Sequence, residues 1–246
     1  MNEPELILIP GVMNSPRVWA PLLDQITREG APISARVVEC AALATVRGVA
    51  EDLLLRCPEQ FYLCGFSFGG YVALAMLALA PERVSGVVLV NSSGLADTAE
   101  ASEHRHRSIA ASKSGKYQKL ALAQQQVVFH PGNLGDPELD LTYRTMVDEY
   151  GSERFEAHMQ ACIDRPDRLE FLRHLSIPAL VVAAQDDRLI PTTIQRRTAE
   201  AIPQATYVEI PGAGHMLPIE RPQELAESLR SWWQTIGAPL SQRNEG

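Results

Sequence analysis

The chain has no apolar run long enough to cross a bilayer, no dense stripe of Lys or Arg, and no cysteine spacing that reads as a metal or redox motif. Each absence removes a class of function. A spanning helix needs about 20 consecutive, mostly apolar residues, and the longest apolar stretch, near 69–80, is broken by Gly and Tyr. A nucleic-acid partner is announced by a basic face. Here 22 Lys and Arg stand against 30 Asp and Glu, for a formal net charge of −8. Cys40, Cys57, Cys64 and Cys162 fit neither a zinc ribbon nor a redox pair; they read as reduced, mostly buried thiols of a cytoplasmic protein. Residues 1–5 carry no positive segment and lead into only a few apolar residues, unlike a secretory signal. Neither an internal repeat nor a low-complexity tract is present. No metal or organic cofactor is implied, and the oligomeric state is left open between monomer and homodimer.

What remains is 246 residues, 46% of them hydrophobic, which suits one domain with a sizeable core. Short β-branched runs fall at 6–9, 36–40, 61–64, 84–90, 179–184 and 206–210. They are apolar on both faces, as strands covered by helices on both sides are. Helical patterns at 16–27, 46–56, 68–80, 192–201 and 223–233 alternate with them. The alternation predicts an α/β fold with a parallel, doubly wound sheet of six strands. Residues 68–80 are apolar almost all round, which places that helix under the centre of the sheet. Residues 95–175 break the rhythm, with helical patterns and no convincing strand. The expected organisation is therefore a core of 1–94 and 176–246 with a helical cap of 95–175. The polar residues 237–246 read as a frayed tail.

Gly65-Phe66-Ser67-Phe68-Gly69 lies between a predicted strand and a predicted helix. This G-x-S-x-G pattern sets a serine on a tight strand-to-helix turn. Side chains two residues to either side would collide with neighbouring backbone, and glycine removes the collision. The turn lifts the hydroxyl clear of the sheet and puts the Phe68 N–H at a helix N-terminus, where negative charge is favoured. A serine hydroxyl needs a base. Of the six histidines, His104, His106, His130, His158 and His174 fall in the insertion or at its edge; only His215 follows a core strand, in a loop with Gly212 and Gly214. The base in turn needs a carboxylate. Asp186 and Asp187 follow the fifth strand, and position alone does not choose between them. A carboxylate after the fourth strand would serve as well, but Asn91 stands there.

These blocks, in order, resemble the α/β-hydrolase superfamily over nearly the whole chain, most closely its small lid-bearing esterases and lactonases. Leu6-Ile7-Leu8-Ile9-Pro10-Gly11 with Ser15 and Trp19 is similar to that family's oxyanion segment. Gly65 to Gly70 with Tyr71-Val72-Ala73 resembles its elbow, and Gly212-Ala213-Gly214-His215-Met216 with Glu220-Arg221-Pro222 its histidine loop. Asp187-Arg188-Leu189-Ile190-Pro191 matches the family's Asp-x-x-x-Pro pattern, which favours Asp187. The resemblance implies a Ser67–His215–Asp187 triad and an oxyanion hole of the Val12 and Phe68 N–H groups. Three departures stand out. Pro10 replaces the usual His, the Asp-x-x-G-x-G-x-S stretch is missing after Cys40, and two N-terminal strands of many relatives are not expected.

Met13, Trp19, Phe66, Phe68, Met216 and Leu217, with Phe129, Tyr143, Met146 and Met159 from the cap, are the expected cavity walls, suited to an apolar acyl or alcohol group. Arg105, Arg107, Arg144 and Arg168 form no evident anion clamp and read as solvated. The expected activity is cleavage of small-molecule carboxylic esters through an acyl-enzyme. Alternatives that use the same residues are a lactonase or thioesterase, a hydroxynitrile lyase, or a small-molecule receptor without turnover.

Overall fold

A computed structural model of the chain describes residues 5–28 and 34–237. The opening residues before Glu5 and the expected polar tail beyond Gly237 lie outside the described residues. Six strands form one sheet: β1 (Glu5–Ile9), β2 (Ala35–Val37), β3 (Phe61–Phe66), β4 (Val84–Val90), β5 (Ala179–Ala184) and β6 (Ala205–Ile210). Their order is β2-β1-β3-β4-β5-β6 and every pairing is parallel.

The helices are α1 (Ala20–Arg28), α2 (Val46–Leu54), α3 (Phe68–Leu79), α4 (Ala99–Ala111), α5 (Tyr117–Val128), α6 (Pro137–Tyr150), α7 (Ser152–Ile163), α8 (Leu169–Leu172), α9 (Thr192–Glu200), α10 (Leu217–Glu220) and α11 (Pro222–Ile236). Period-two alternation along the strands divides the core in two. Leu6, Leu8, Val88, Val90, Leu180 and Val182 pack with α1 and α11. Ile7, Ile9, Val87, Leu89, Ala179 and Val181 pack with α2, α3 and α9. Each large side chain so buried contributes about 1.5–3 kcal/mol. The exposed i,i+4 pairs Arg47–Glu51 and Arg144–Asp140 are worth about 0.3–0.5 kcal/mol each, so the sheet core holds the fold. Ten of the twelve residues of α3 are buried, because the helix lies between sheet and neighbouring helices.

Three boundaries differ from the sequence expectation. Strand β3 runs through Gly65 to Phe66; Gly65 is there for a close approach and does not end the strand. Edge strand β2 stops at Val37, although the Val38 N–H still donates to Leu8 O over 3.0 Å. The single helix expected at 16–27 begins instead as a 3-10 turn, Pro16–Trp19, before α1.

Between β4 and β5 the chain carries α4 to α8 and no strand. Its Tyr117, Tyr143, Met146, Val147 and Phe155 belong to the same apolar cluster as one face of the sheet. Strand order reverses between β1 and β3. In open α/β sheets a ligand crevice forms at such a switch point, beyond the carboxyl ends of the strands.

Candidate active site

Three non-glycine residues among those described have positive φ: Met13 at 60°, Ser67 at 52° and Asn91 at 44°. They follow β1, β3 and β4, so backbone strain collects at one rim of the sheet, as it does at functional sites. Glycines make the Ser67 turn possible. A Cβ on Gly65 would overlap the carbonyl of Gly69, one on Gly69 the carbonyl of Ile9, and one on Gly70 the hydroxyl of Ser92. The turn is pinned by Ser67 N–H donating to Val90 O over 2.9 Å and by the Ser92 hydroxyl donating to Ser67 O over 2.8 Å.

His215 reaches this serine. Its Nε2 lies 2.9 Å from Ser67 Oγ, and its Nδ1 lies 2.9 Å from Asp187 Oδ2. With Nδ1–H donating to the carboxylate, Nε2 is left to accept the serine proton. Asp187 is fixed from the other side: its Oδ1 accepts the Leu189 and Ile190 N–H groups, both at 2.9 Å, and its Oδ2 accepts from Gln195 over 3.2 Å. Asp186 points elsewhere, half exposed, with Oδ2 3.7 Å from His130 Nε2. The ring of Phe66 lies 5.2 Å from the His215 ring.

The loop holding His215 is clamped by two residues. Asn91 donates to Gly214 O (3.2 Å) and His215 O (2.8 Å), and accepts from Ala184 N–H (2.7 Å). Glu220 accepts from Gly214 N–H (3.0 Å), His130 N–H (2.8 Å) and Asn133 Nδ2 (2.7 Å). Burial pushes the Glu220 carboxyl up, against the opposing pull of those three donors. Gly214 cannot be larger, since a Cβ would meet His130 N at 2.5 Å. Sequence reading passed over both clamps, although Glu220 sits in a quoted motif.

On the β1 side, Asn14 Nδ2 donates to Val12 O over 2.6 Å. Gly11 lies close enough that a Cβ would be 3.1 Å from Ser67 Cβ. Phe68 is the first residue of α3, so its N–H has no intrahelical acceptor. Neither it nor the Val12 N–H finds a partner among the described residues. The segment after Cys40 is held by His158, whose Nε2 donates to Ala41 O over 2.8 Å while its ring stacks on Phe68 at 4.4 Å.

Above Ser67 and His215 lies a cavity of about 460 Å³. Met13, Phe68, Tyr143, Met159 and Met216 line it as expected, together with Val12. Trp19, Phe66, Phe129 and Leu217 do not. All four are at most 1% exposed: Trp19 packs edge-on against Phe66, and Phe129 against Tyr143. Met146 is core as well. Arg105 was expected in solvent and instead lines the cavity, with His104, Gln124, Tyr71 and Phe155 beside it. Nothing in the periodicity of α4 marks which polar residues turn inward. Cys162 is also in the wall, but burial pushes its thiol up, so it stays protonated and is no rival nucleophile. No group of three His, Cys, Asp or Glu able to hold a metal lies together among the described residues. No helix among them is long and apolar enough to cross a membrane.

This fold and site define a class, and the comparisons agree with it. A family model for the alpha/beta hydrolase fold matches residues 58–222, and the chain belongs to that family. Among solved structures, a thermophilic esterase from Thermogutta terrifontis superposes with a TM-score of 0.85 at 25% identity, over 96% of this chain and 91% of that one. The enol-lactonase from Burkholderia xenovorans LB400 gives a TM-score of 0.84 at 20% identity, over 95% and 92%. Among curated proteins, the biotin biosynthesis bifunctional protein BioHC of Cellvibrio japonicus is 23% identical across 99% of this chain; the chain spans 50% of that relative's length. Family and neighbours together support a hydrolytic enzyme.

Proposed function

We propose that the chain is a serine hydrolase of carboxylic esters with small to medium apolar groups. Ser67 is its nucleophile, His215 its base and Asp187 the orienting acid. The observation that carries the reading is the unbroken path from Ser67 Oγ through His215 to Asp187 Oδ2, with both links at 2.9 Å. The cavity above the hydroxyl supports it, as does the likeness to an esterase at 25% identity.

In the first half of the reaction Ser67 attacks the ester carbonyl while His215 takes its proton. Negative charge gathers on the carbonyl oxygen, which the Val12 and Phe68 N–H groups accommodate. Each such donor is worth about 3 kcal/mol in the transition state. The alcohol then leaves, protonated by His215. Water, activated by the same imidazole, cleaves the acyl-enzyme. Residues 95–175 act as a cap that closes the cavity over the core formed by 1–94 and 176–246.

Two measurements test this reading. A fluorophosphonate should label Ser67, located by peptide mapping. Turnover of p-nitrophenyl butyrate should vanish in Ser67→Ala. Absence of both label and turnover in the wild-type chain would reject the hydrolase and favour a binding protein. Thioester and lactone carbonyls present the same electrophile, so a panel of all three classes ranks them.

A further inference from the structure

Among the described residues the cavity wall contains no Asp or Glu, and Arg105 is its one Lys or Arg. On α4, Ala101, His104, Arg105 and Ser108 all line the cavity, at the spacing that puts residues on one helix face. Arg105 Nε donates to Asp97 Oδ2 over 2.7 Å, and its Nη1 meets only the Met159 sulfur at 3.4 Å. A thioether is a weak acceptor. The other Arg105 donors have no acceptor among the described residues.

Asp97 does not cancel this charge, because it is shared. Arg165 Nη1 donates to Asp97 Oδ1. Arg165 is otherwise satisfied: it donates to Leu95 O (3.0 Å) and Cys162 O (2.7 Å), and its guanidinium lies 4.1 Å from the centre of the Tyr71 ring. One carboxylate, 3% exposed, thus serves two guanidiniums, and the unit keeps one net positive charge. Arg105 carries that charge, with open donors, in a wall of mostly apolar residues. Such an arrangement is costly unless an anion completes it, and a guanidinium fork matches a carboxylate.

We propose that the substrate carries a free carboxylate remote from its reacting carbonyl, and that Arg105 binds it. The inference rests on the hydrolase reading of Ser67 and narrows its substrate class. A guanidinium that merely tied α4 to its surroundings would affect charged and neutral substrates alike.

The test compares monoethyl esters of succinate, glutarate and adipate with the isosteric ester–carboxamides. Wild type should favour the carboxylate at one or more lengths by roughly 10- to 100-fold in kcat/KM, mainly through KM, as expected of a charge-assisted hydrogen bond. Arg105→Gln should bring that ratio close to one. Arg107→Gln, on the exposed side of α4 and paired with Glu103, should keep the wild-type ratio. Should Arg105→Gln not fold, Arg105→Lys retains the charge without the fork and should lower the ratio several-fold. A wild-type ratio of one or less at every length, or a preference surviving in the Arg105 variant, overturns the inference while leaving ester hydrolysis intact. If no ester is turned over, the hydrolase reading fails, and calorimetry with glutarate and adipate decides. Binding that Arg105→Gln abolishes supports the carboxylate site, and no binding by wild type overturns it.

Discussion

Asn91 and His215 are tied side chain to backbone: the Asn91 amide donates to the carbonyl of His215 over 2.8 Å, and Asn91 is fully buried. The imidazole is thereby aimed by a residue that never reaches the serine. Asn91→Ala should leave the Gly214 and His215 carbonyls and the Ala184 N–H short of partners, destabilising the protein by about 1–3 kcal/mol. It should also lower kcat more than it raises KM, because the base loses its aim. Urea denaturation alongside steady-state kinetics checks both; a kcat unchanged within two-fold would remove Asn91 from the positioning role.

Asp187→Asn tests the tautomer. An asparagine can keep accepting from the Leu189 and Ile190 N–H groups, but its amide would donate toward His215 Nδ1. The ring proton then moves to Nε2, which can no longer accept from Ser67. A fall in kcat of about 10⁴-fold with a small change in KM is the expected outcome, measured on p-nitrophenyl butyrate.

His158 makes stability depend on pH. Burial, outweighing its bond to Ala41 and aided by Arg154, lowers its pKa from 6.5 to about 4. The unfolded chain therefore binds more protons than the folded one between those values. The His158 contribution is complete above pH 6.5 and is lost as pH drops toward 4, about 3 kcal/mol in all. Glu220, raised by burial, contributes with the opposite slope above its ordinary range. The comparison is thus wild type against His158→Gln, in which Glu220 cancels. Denaturation midpoints at pH 5 and 7 should differ less in the variant, and equal differences would count against His158.

Two glycines should behave differently. Gly69→Ala would drive a methyl into the Ile9 carbonyl, with the strand and the elbow both fixed, so it should express poorly and lose all activity. Gly115, at φ 80°, has nothing within 4 Å of a built Cβ. Gly115→Ala should cost only the left-handed backbone penalty, about 1–2 kcal/mol, with kcat unchanged. Thermal melts and soluble yield distinguish the two.

Much of the site could be read from the chain because its parts are local. The elbow is five consecutive residues whose glycine spacing follows from backbone collision, and those collisions are the ones found at Gly65 and Gly69. The strands were legible because each is a short apolar run between turns. Asp187 could be told from Asp186 only by resemblance. Geometry separates them because successive side chains in a turn diverge: one is 5% exposed against the histidine, the other half in solvent.

The sequence by itself determined the strand–helix rhythm and the glycine-spaced serine turn, since each depends on neighbours a few residues apart. Only the tertiary structure decided which side chains wall the cavity. Trp19, Phe66, Phe129 and Leu217 are as apolar and as buried as Met13 and Met216, but only the two methionines reach the cavity. Arg105 turns inward because α4 packs against α7, a contact between segments some 50 residues apart that no local pattern encodes.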